Sequence, residues 1–208
     1  MFLSAGFIIE EGLSIEVLRK VAASMQRAAT GAGVFIVTGD TKVVEKGKGD
    51  GLFINTTGIG LVPNGVELSA DQAQPGDKIL LSGPIGDHGI AILGQREGLE
   101  FESTIESDSA PLHTLAAQIL SATQGIRCMR DPTRGGVSST LNEIATQSHV
   151  GIELNEAAIP VRDEVKGACE ILGLDPLYVA NEGKLVLVVA SGAAHGSQEQ
   201  AGRSLAHE

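Results

Sequence analysis

The chain has 208 residues, of which 42% are apolar and 20% charged, and its formal net charge at pH 7 is −11. This composition is typical of a globular protein with room for one large or two small domains. The acidic balance argues against a nucleic-acid partner, because affinity for phosphate backbones comes from clustered Lys and Arg. No apolar stretch approaches the roughly 20 residues that span a bilayer, so we expect no membrane partner. Cys128 and Cys169 fit neither a zinc nor a disulfide pattern, and we expect a cytoplasmic protein in which both are buried.

Residues 1–76 alternate between predicted strands and one helix. FLSAGFIIE predicts a buried strand. The helical spacing after Ser14, a good N-cap, predicts an amphipathic helix that is ended by Gly31 and Gly33. VFIVTG is predicted to be the next strand, the GDTK motif and the lysines after it a loop, and GLFINTTGIGLV a longer strand. We place a domain boundary near Asp77, after a surface connection marked by Pro, Asn and Gly.

Residues 77–208 show the same alternation. Strands are predicted in KILLSG, at the start of GIRCMRDPTRGG, in VGIEL and in EGKLVLVVASG. Helices are predicted in IAILGQREG, APLHTLAAQILSAT, VSSTLNEIATQSH and VRDEVKGACEILGL. Strands that alternate with helices predict an α+β fold built of α/β layers.

The first candidate site follows the second predicted strand. Asp40 stands after Gly39, where a carboxylate could hold Mg²⁺, and Lys42 could reach a phosphate oxygen. Gly47 and Gly51 would let the backbone approach a ligand closely. A hairpin turn with exposed lysines explains the same residues, so both interpretations stay open.

Two further Gly-flanked turns precede predicted helices. GPIGDHG, residues 83–89, could bind an anion at a helix start, although Asp87 could equally be an N-cap and His88 a surface side chain. RDPTRGG, residues 130–136, combines an Arg and paired glycines at a strand-to-helix turn and is a more specific phosphate cradle. A simple cap-and-turn role for Asp131 is the alternative.

The stretch YVANEGK places Asn181 and Glu182 directly before a buried strand. A Glu that is partly desolvated there could act as a base, whereas an ordinary strand-entry turn is the alternative. Neither a Walker P-loop nor a dinucleotide fingerprint occurs in the sequence. The residues alone therefore indicate an acidic α/β protein with several loops suited to phosphate and Mg²⁺.

Four stretches, in this order, resemble one protein family. SAGFIIEEGL, IVTGDTKVVEKGKGDG, RCMRDPTRGGVSSTLNEIA and IPVRDEVKGACEILGLDPLYVANEGKLV are similar to HypE, a family of hydrogenase maturation factors within the PurM-like group of ATP-using enzymes. The resemblance covers nearly all of residues 1–191. It implies a PurM-like two-domain fold, in which residues 1–76 are the remainder of an N-terminal AIR synthase-related, ATP-binding domain and residues 77–208 are the C-terminal AIR synthase-related domain.

The resemblance also implies an activity, cofactors and partners. The family is a carbamoyl dehydratase that uses ATP and Mg²⁺ to convert an S-carboxamide on its C-terminal cysteine to a thiocyanate. The thiocyanate supplies the cyanide ligands of [NiFe]-hydrogenase. The carbamoyl group comes from the carbamoyltransferase HypF, the nitrile passes on through the HypC–HypD complex, and a homodimer is usual.

Individual roles follow from the resemblance at matching positions only. Lys42 and Glu182 match residues proposed to be catalytic, and Asp40 matches the metal and nucleotide loop, where it would hold Mg²⁺. The other matching cofactor-binding positions are Thr41, Asp131, Thr133, Arg134, Gly135, Gly136 and Asn181.

This sequence departs from the family pattern at both ends. The family has a long segment before SAGFIIEEGL and ends in a short tail that carries the modified cysteine, whereas this sequence ends in RSLAHE. We therefore expect a fragment that is inactive alone, with a truncated N-terminal domain and a nearly complete C-terminal domain. The alternatives are a non-catalytic binding module for the maturation partners, or another PurM-like enzyme such as a selenophosphate synthetase, a thiamine-phosphate kinase or an aminoimidazole ribonucleotide synthetase.

Overall fold

The computed structural model describes residues 1–99 and 104–193, so the RSLAHE tail lies outside the described residues. Contacts divide the chain into two compact units, Met1–Gly65 and Val66–Glu208. The sequence predicted a boundary near Asp77, whereas contacts assign residues 66–76 to the second unit. The reason is that this segment bonds to the rest of that unit. The Ser69 amide donates to the Arg127 carbonyl at 3.0 Å, and the Ala73 amide donates to Ser148 Oγ at 3.0 Å. As a limit between family domains, residue 76 stays a prediction.

The first unit is a three-stranded mixed sheet with one helix. Strands β1 (Phe2–Glu10), β2 (Phe35–Val44) and β3 (Leu52–Ile59) lie in the order β2-β1-β3, with β1 parallel to β2 and antiparallel to β3. Parallel strands need a long crossover, and helix α1 (Ile15–Gly31) supplies it between β1 and β2. The predicted N-cap is confirmed, since Ser14 Oγ accepts a hydrogen bond from the Glu16 amide at 3.2 Å.

The GDTK motif is part of strand β2, so the predicted loop at this position is wrong. Asp40 is the register partner of Gly6, and Lys42 is the partner of Ile8, so the pairing with β1 continues to Val44. The loop begins only at Glu45. An edge strand tolerates charged residues because its side chains remain in water. The prediction failed because a local polar pattern does not reveal pairing with a strand that is distant in the sequence.

The carboxylate of Glu10 holds the lysine-rich loop that follows β2. Its Oε1 accepts from the Gly47 amide at 2.6 Å, and its Oε2 accepts from the Gly51 amide at 3.1 Å. These hydrogen bonds stabilise the charged form, so the pKa of Glu10 lies below its ordinary value. The loop is therefore tied to the end of β1 although its own side chains are exposed.

We expect the Glu10→Gln change to loosen this loop. The lowered pKa means that the two bonds stabilise the loop above the ordinary pKa of glutamate, and that this stability is lost as the pH falls through the folded-state pKa. In Glu10→Gln, amide hydrogen exchange at Gly47 and Gly51 should accelerate on the order of tenfold, because a charge-assisted bond is about twice as strong as a neutral one. Glu11→Gln is the matched control and should exchange like the unchanged protein. Equal exchange rates in the Glu10 variant would contradict the role of this carboxylate.

The second unit is built around a three-stranded antiparallel sheet. Strands β4 (Lys78–Leu81), β5 (Ile126–Arg130) and β6 (Val186–Val189) lie in the order β4-β6-β5. The helices are α2 (Asp87–Glu97), α3 (His113–Ala122), α4 (Gly136–Ser148) and α5 (Asp163–Leu172), and short 3₁₀ turns span Glu156–Ala158, Pro176–Tyr178 and Ser191–Ala193. Together with the first unit, this confirms the predicted combination of helices and strands.

The central strand β6 separates two apolar clusters. Val186 and Val188 pack with Ile144 on one side of the sheet, and Leu187 packs with Ile119 on the other. Successive side chains of a strand point to opposite faces, so a continuous apolar run is what a strand buried on both faces requires. The core of this unit fixes β6, which begins shortly after YVANEGK ends.

The strand predicted in VGIEL is wrong. Residues 150–154 pair with no other strand, and Val150 and Ile152 pack on the cluster that contains Ile144.

The two cysteines are free and buried as predicted, and burial raises the pKa of both thiols. Among the described residues, no helix has the length and apolarity of a membrane span.

Candidate functional site

In the first unit, Asp40, Thr41 and Lys42 lie on the exposed edge strand β2. Side chains alternate along a strand, so Asp40 and Lys42 share one face of the sheet and Thr41 lies on the other. Asp40 is in one cross-strand row with Gly6 and Asn55. Because Gly6 has no side chain, the sheet is open between the carboxylate and the amide in that row.

The surroundings of Asp40 fit a metal ion that is shared with a phosphate. Asp40 Oδ1 accepts from the Thr41 amide at 2.8 Å, which orients the carboxylate. The described residues contain no group of three or more His, Cys, Asp or Glu that could enclose a metal. Mg²⁺ is usually held by one or two carboxylates together with phosphate oxygens and water. One oriented carboxylate, with Lys42 on the same face, matches that pattern better than an all-protein cage.

In the second unit, the side chain of Asn181 joins three loops. Its Oδ1 accepts from the Gly86 amide at 2.8 Å, and its Nδ2 donates to the carbonyls of Pro132 at 3.1 Å and Val179 at 3.0 Å. The Asn181 amide also donates to the Pro132 carbonyl, at 3.3 Å. We call this contact of residues 83–89, 131–136 and 179–184 the Asn181 junction. It brings together three of the four stretches that the sequence indicated.

Glycines let these loops approach closely. A Cβ on Gly136, whose φ is 65°, would collide with the carbonyl oxygens of Leu177 and Val179. A Cβ on Gly183 would collide with the carbonyl oxygen of Asp108. The backbone at both positions therefore needs Gly for packing inside the protein, whatever a ligand requires.

The turn before α4 presents groups of both charges. Thr133 Oγ1 donates to Asp131 Oδ2 at 2.8 Å, while Arg134 is exposed and Gly135 is the left-handed N-cap of the helix. Asn181, by contrast, is fully buried and its amide is bonded to the backbone. Ligand contact stays a prediction for all of these residues, whereas the part that Asn181 plays in joining the loops follows from its contacts.

Glu182 lies at the surface of the Asn181 junction. Its side chain is 39% exposed, and its Oε1 lies 3.9 Å from Nε2 of His88. Its amide donates to Asp108 Oδ1 at 3.4 Å, and the other oxygen of Asp108 lies 3.1 Å from Nζ of Lys184. A partly exposed carboxylate thus rests on a buried ion pair, an arrangement that fixes its backbone and leaves its oxygens accessible.

Asp87 is a buried acid beside this group. It is the first residue of α2, after the N-cap Gly86, so the alternative that made Asp87 the cap is wrong. Its Oδ1 lies 3.2 Å from Nη1 of Arg162, while Oδ2 has no hydrogen-bond partner among the described residues. Burial raises the pKa of Asp87, and the guanidinium of Arg162 only partly opposes this effect.

Two members of this group were not predicted from the sequence. His88 was expected only as a surface side chain, in the alternative interpretation of GPIGDHG, and Asp108 was not singled out. The Gly-Asp-His-Gly pattern at a helix start was the available signal for His88. An isolated Asp in a Ser-rich stretch gave no such signal for Asp108.

Most of the chain matches one family, in two parts. Residues 1–62 match the AIR synthase related protein N-terminal domain, and residues 74–203 match the AIR synthase related protein C-terminal domain. These matches agree with the mixed sheet of the first unit and the layered second unit. The chain belongs to the AIR synthase-related family, and its fold is the PurM-like fold that the sequence predicted.

Within that family the similarity is to HypE, as the sequence predicted. The chain is 64% identical over 187 residues to carbamoyl dehydratase HypE of Azotobacter vinelandii, covering 90% of this chain and 55% of that protein. It is similar to HypE in complex with ATP (TM-score 0.94, 51% identity, 96% of this chain and 60% of that one). It is also similar to a HypE–HypF complex (TM-score 0.94, 50% identity, 97% of this chain and 66% of the matched one). The chain thus spans about half the length of the curated relatives that it matches.

Proposed function

We propose that this chain is part of a HypE-type carbamoyl dehydratase, which converts a cysteine S-carboxamide to a thiocyanate at the expense of ATP and so supplies cyanide ligands to [NiFe]-hydrogenase. The observation that carries the proposal is the position of Glu182, accessible to solvent and fixed by the Asn181 junction. The similarity to carbamoyl dehydratases and to an ATP-bound HypE supports it.

The reaction removes one oxygen and two protons from a carboxamide. In the first step the amide oxygen attacks the γ-phosphorus of ATP, an O–P bond forms, ADP leaves and one N–H proton is removed. In the second step the C–O bond breaks, phosphate leaves, and loss of the other N–H proton completes the C≡N triple bond. An amide oxygen is a poor leaving group, and its phosphate ester is a good one.

We assign one residue each to proton removal, to stabilisation of negative charge and to metal binding. Glu182 accepts protons from the amide nitrogen, for which an accessible and oriented carboxylate is suited. Lys42 donates to a phosphoryl or amide oxygen and stabilises its negative charge. Asp40 would hold Mg²⁺, which would supply positive charge that offsets charge on the transferred group.

The other proposed nucleotide contacts are polar or backbone groups. The exposed Arg134 at the start of α4 offers a guanidinium to a phosphate, and helix N-termini present free amides to anions. The full set that we assign to ATP is Asp40, Thr41, Asp131, Thr133, Arg134, Gly135, Gly136 and Asn181. For Asn181 this role is indirect, because its contacts place the turn that carries Thr133 and Arg134.

The proposed partners are HypF, which donates the carbamoyl group, the HypC–HypD complex, which receives the nitrile, and a second copy of the chain, all in the cytoplasm. The similarity to the HypE–HypF complex supports the first. The open face of the first sheet supports the homodimer. By register, Phe2, Ile8, Phe53 and Ile59 share that face, and all are exposed. Exposed apolar patches of this kind commonly mark protein interfaces.

The test uses a chimera that adds the segments of a full-length relative to this chain. The chain is joined to the remaining segments of the A. vinelandii relative, and the tail thiol of this chimera is carbamoylated with cyanate. With Mg²⁺ and ATP, we expect the tail peptide to lose the mass of one water while ADP and phosphate are released in equal amounts, as mass spectrometry and a phosphate assay would show.

Three results would contradict the proposal. Absence of ATP binding in calorimetry would exclude the assigned nucleotide site. Binding of HypF without loss of water from the carbamoylated tail would favour the alternative, a non-catalytic module for the maturation partners. Phosphate release without loss of water would indicate a different phosphoryl acceptor, as in another PurM-like enzyme.

A further inference from the structure

The imidazole of His88 lies between two polar side chains. Its Nδ1 is 2.8 Å from Ser107 Oγ, and its Nε2 is 3.9 Å from Glu182 Oε1. The side chain of His88 is 22% exposed, and that of Glu182 is 39% exposed. Ser107 therefore orients the ring so that the second nitrogen faces the carboxylate, while water still reaches both groups.

We propose that His88 is the proton-relay partner of Glu182. In this role Nε2 of His88 takes from the Glu182 carboxyl the first proton that the carboxylate removes from the substrate nitrogen. The two atoms lie 3.9 Å apart, so the side chains must move to hydrogen-bond distance for the transfer. Because His88 acts through Glu182 and not on the substrate, it is a positioning and relay residue. The inference rests on the proposed function, which assigns proton removal to Glu182.

The need for a relay follows from the stoichiometry of the reaction. Both protons leave the same nitrogen, so a single carboxylate that has accepted the first cannot accept the second until it is deprotonated again. With Nδ1–H donated to Ser107, Nε2 carries a lone pair that receives the first proton and gives an imidazolium ion. The second proton then moves to Glu182 as the C–O bond breaks, and it leaves on the departing phosphate. Proton number and charge balance over the two steps.

The neighbouring acids Asp87 and Asp108 are poorly placed to accept a proton from Glu182. Asp108 is paired with Lys184 at 3.1 Å, and Asp87 is 1% exposed and faces Arg162. The imidazole of His88 faces Glu182 Oε1 and takes part in no buried ion pair among the described residues. It can therefore accept a proton without breaking one.

The relay also has an exit. A cavity of about 460 Å³ is lined by His88, and Arg96, Asp175 and Tyr178 contribute the other titratable side chains in its lining. Through this cavity an imidazolium proton reaches solvent between turnovers. These residues belong to α2 and to the segment before Asn181, so the exit lies next to the Asn181 junction.

The test compares two His88 variants in the carbamoylated chimera. His88→Gln keeps a group that can bond to Ser107 but cannot carry a proton, and it should lower kcat roughly a hundredfold, the usual scale of acid–base catalysis, with the KM for ATP unchanged. His88→Ala should be equally slow, and added imidazole should restore part of its rate because the site is open to water. His113→Gln, on α3, is the matched control and should retain full activity.

The outcomes separate this inference from the function on which it rests. Loss of water in the unchanged chimera together with a normal rate in His88→Gln would overturn the relay and leave the dehydratase intact. Slow turnover in both variants without rescue by imidazole would assign His88 a structural role and also overturn it. If the unchanged chimera does not dehydrate its tail, the proposed function fails first and the relay fails with it.

Discussion

Replacing Asn181 by Ala is expected to lower the free energy of unfolding of the second unit by about 3–5 kcal/mol, because each buried polar group left without a partner costs about 1–3 kcal/mol. Two groups would lose this partner, the amide of Gly86 and the carbonyl of Val179. The Pro132 carbonyl would lose the bond from Nδ2 but keep the one from the Asn181 backbone amide. Whole domains are stable by only about 5–15 kcal/mol, so the loss would be a large part of the total. Urea unfolding followed by circular dichroism measures it.

Two further variants make this result specific. Asn142→Ala removes an exposed amide that donates to the Ser138 carbonyl within α4, and it should change stability by less than about 1 kcal/mol. Asn181→Asp keeps the acceptor for Gly86 but turns an oxygen towards two carbonyls, so it should be at least as damaging as Ala. A stable Asn181→Asp protein would show that the amide donors do not hold the loops together.

The second large effect is expected at Glu182. In the chimera with a carbamoylated tail, Glu182→Gln should lower the rate of water loss on the order of a thousandfold, within the range typical of a general base. The substitution preserves the size of the side chain and leaves the Glu182 amide bonded to Asp108. ATP affinity should therefore be unchanged, as calorimetry can verify alongside the mass spectrometric rate.

The control for this change is Glu170→Gln, an exposed carboxylate on α5. It removes the same charge from the same unit and should leave the rate of water loss unaltered. If both variants react at the unchanged rate, Glu182 is not the base, and the strand-entry turn that the sequence left open is the better account of this residue.

Local patterns predicted most of the elements correctly, because apolar spacing reports burial directly. The apolar run in EGKLVLVVASG predicted a buried strand, and Ser14 predicted the start of α1; both are observed. The errors arose where the secondary structure depends on pairing with a segment that is distant in the sequence. Strand β2 continues through Asp40 because β1 pairs with it, and residues 150–154 are packed without being paired.

Most residues of the candidate site could be predicted from the sequence, but the hydrogen bonds that join them could not. Asn181 was singled out as a ligand contact, yet its partner Gly86 is 95 positions away and Pro132 is 49 away. His88 and Glu182 are similarly remote in sequence, and no periodicity relates them. Pairings of this kind follow from the folded core, which brings the start of α2 to the entry of β6.

The Asn181 junction depends on a neutral amide. Such a group neither gains nor loses a proton over the range in which carboxylates and imidazoles titrate. The hydrogen bonds from Asn181 to the three loops therefore do not depend on the protonation of any acid beside them. Asp87, whose pKa burial raises, can take up a proton while these bonds remain unbroken.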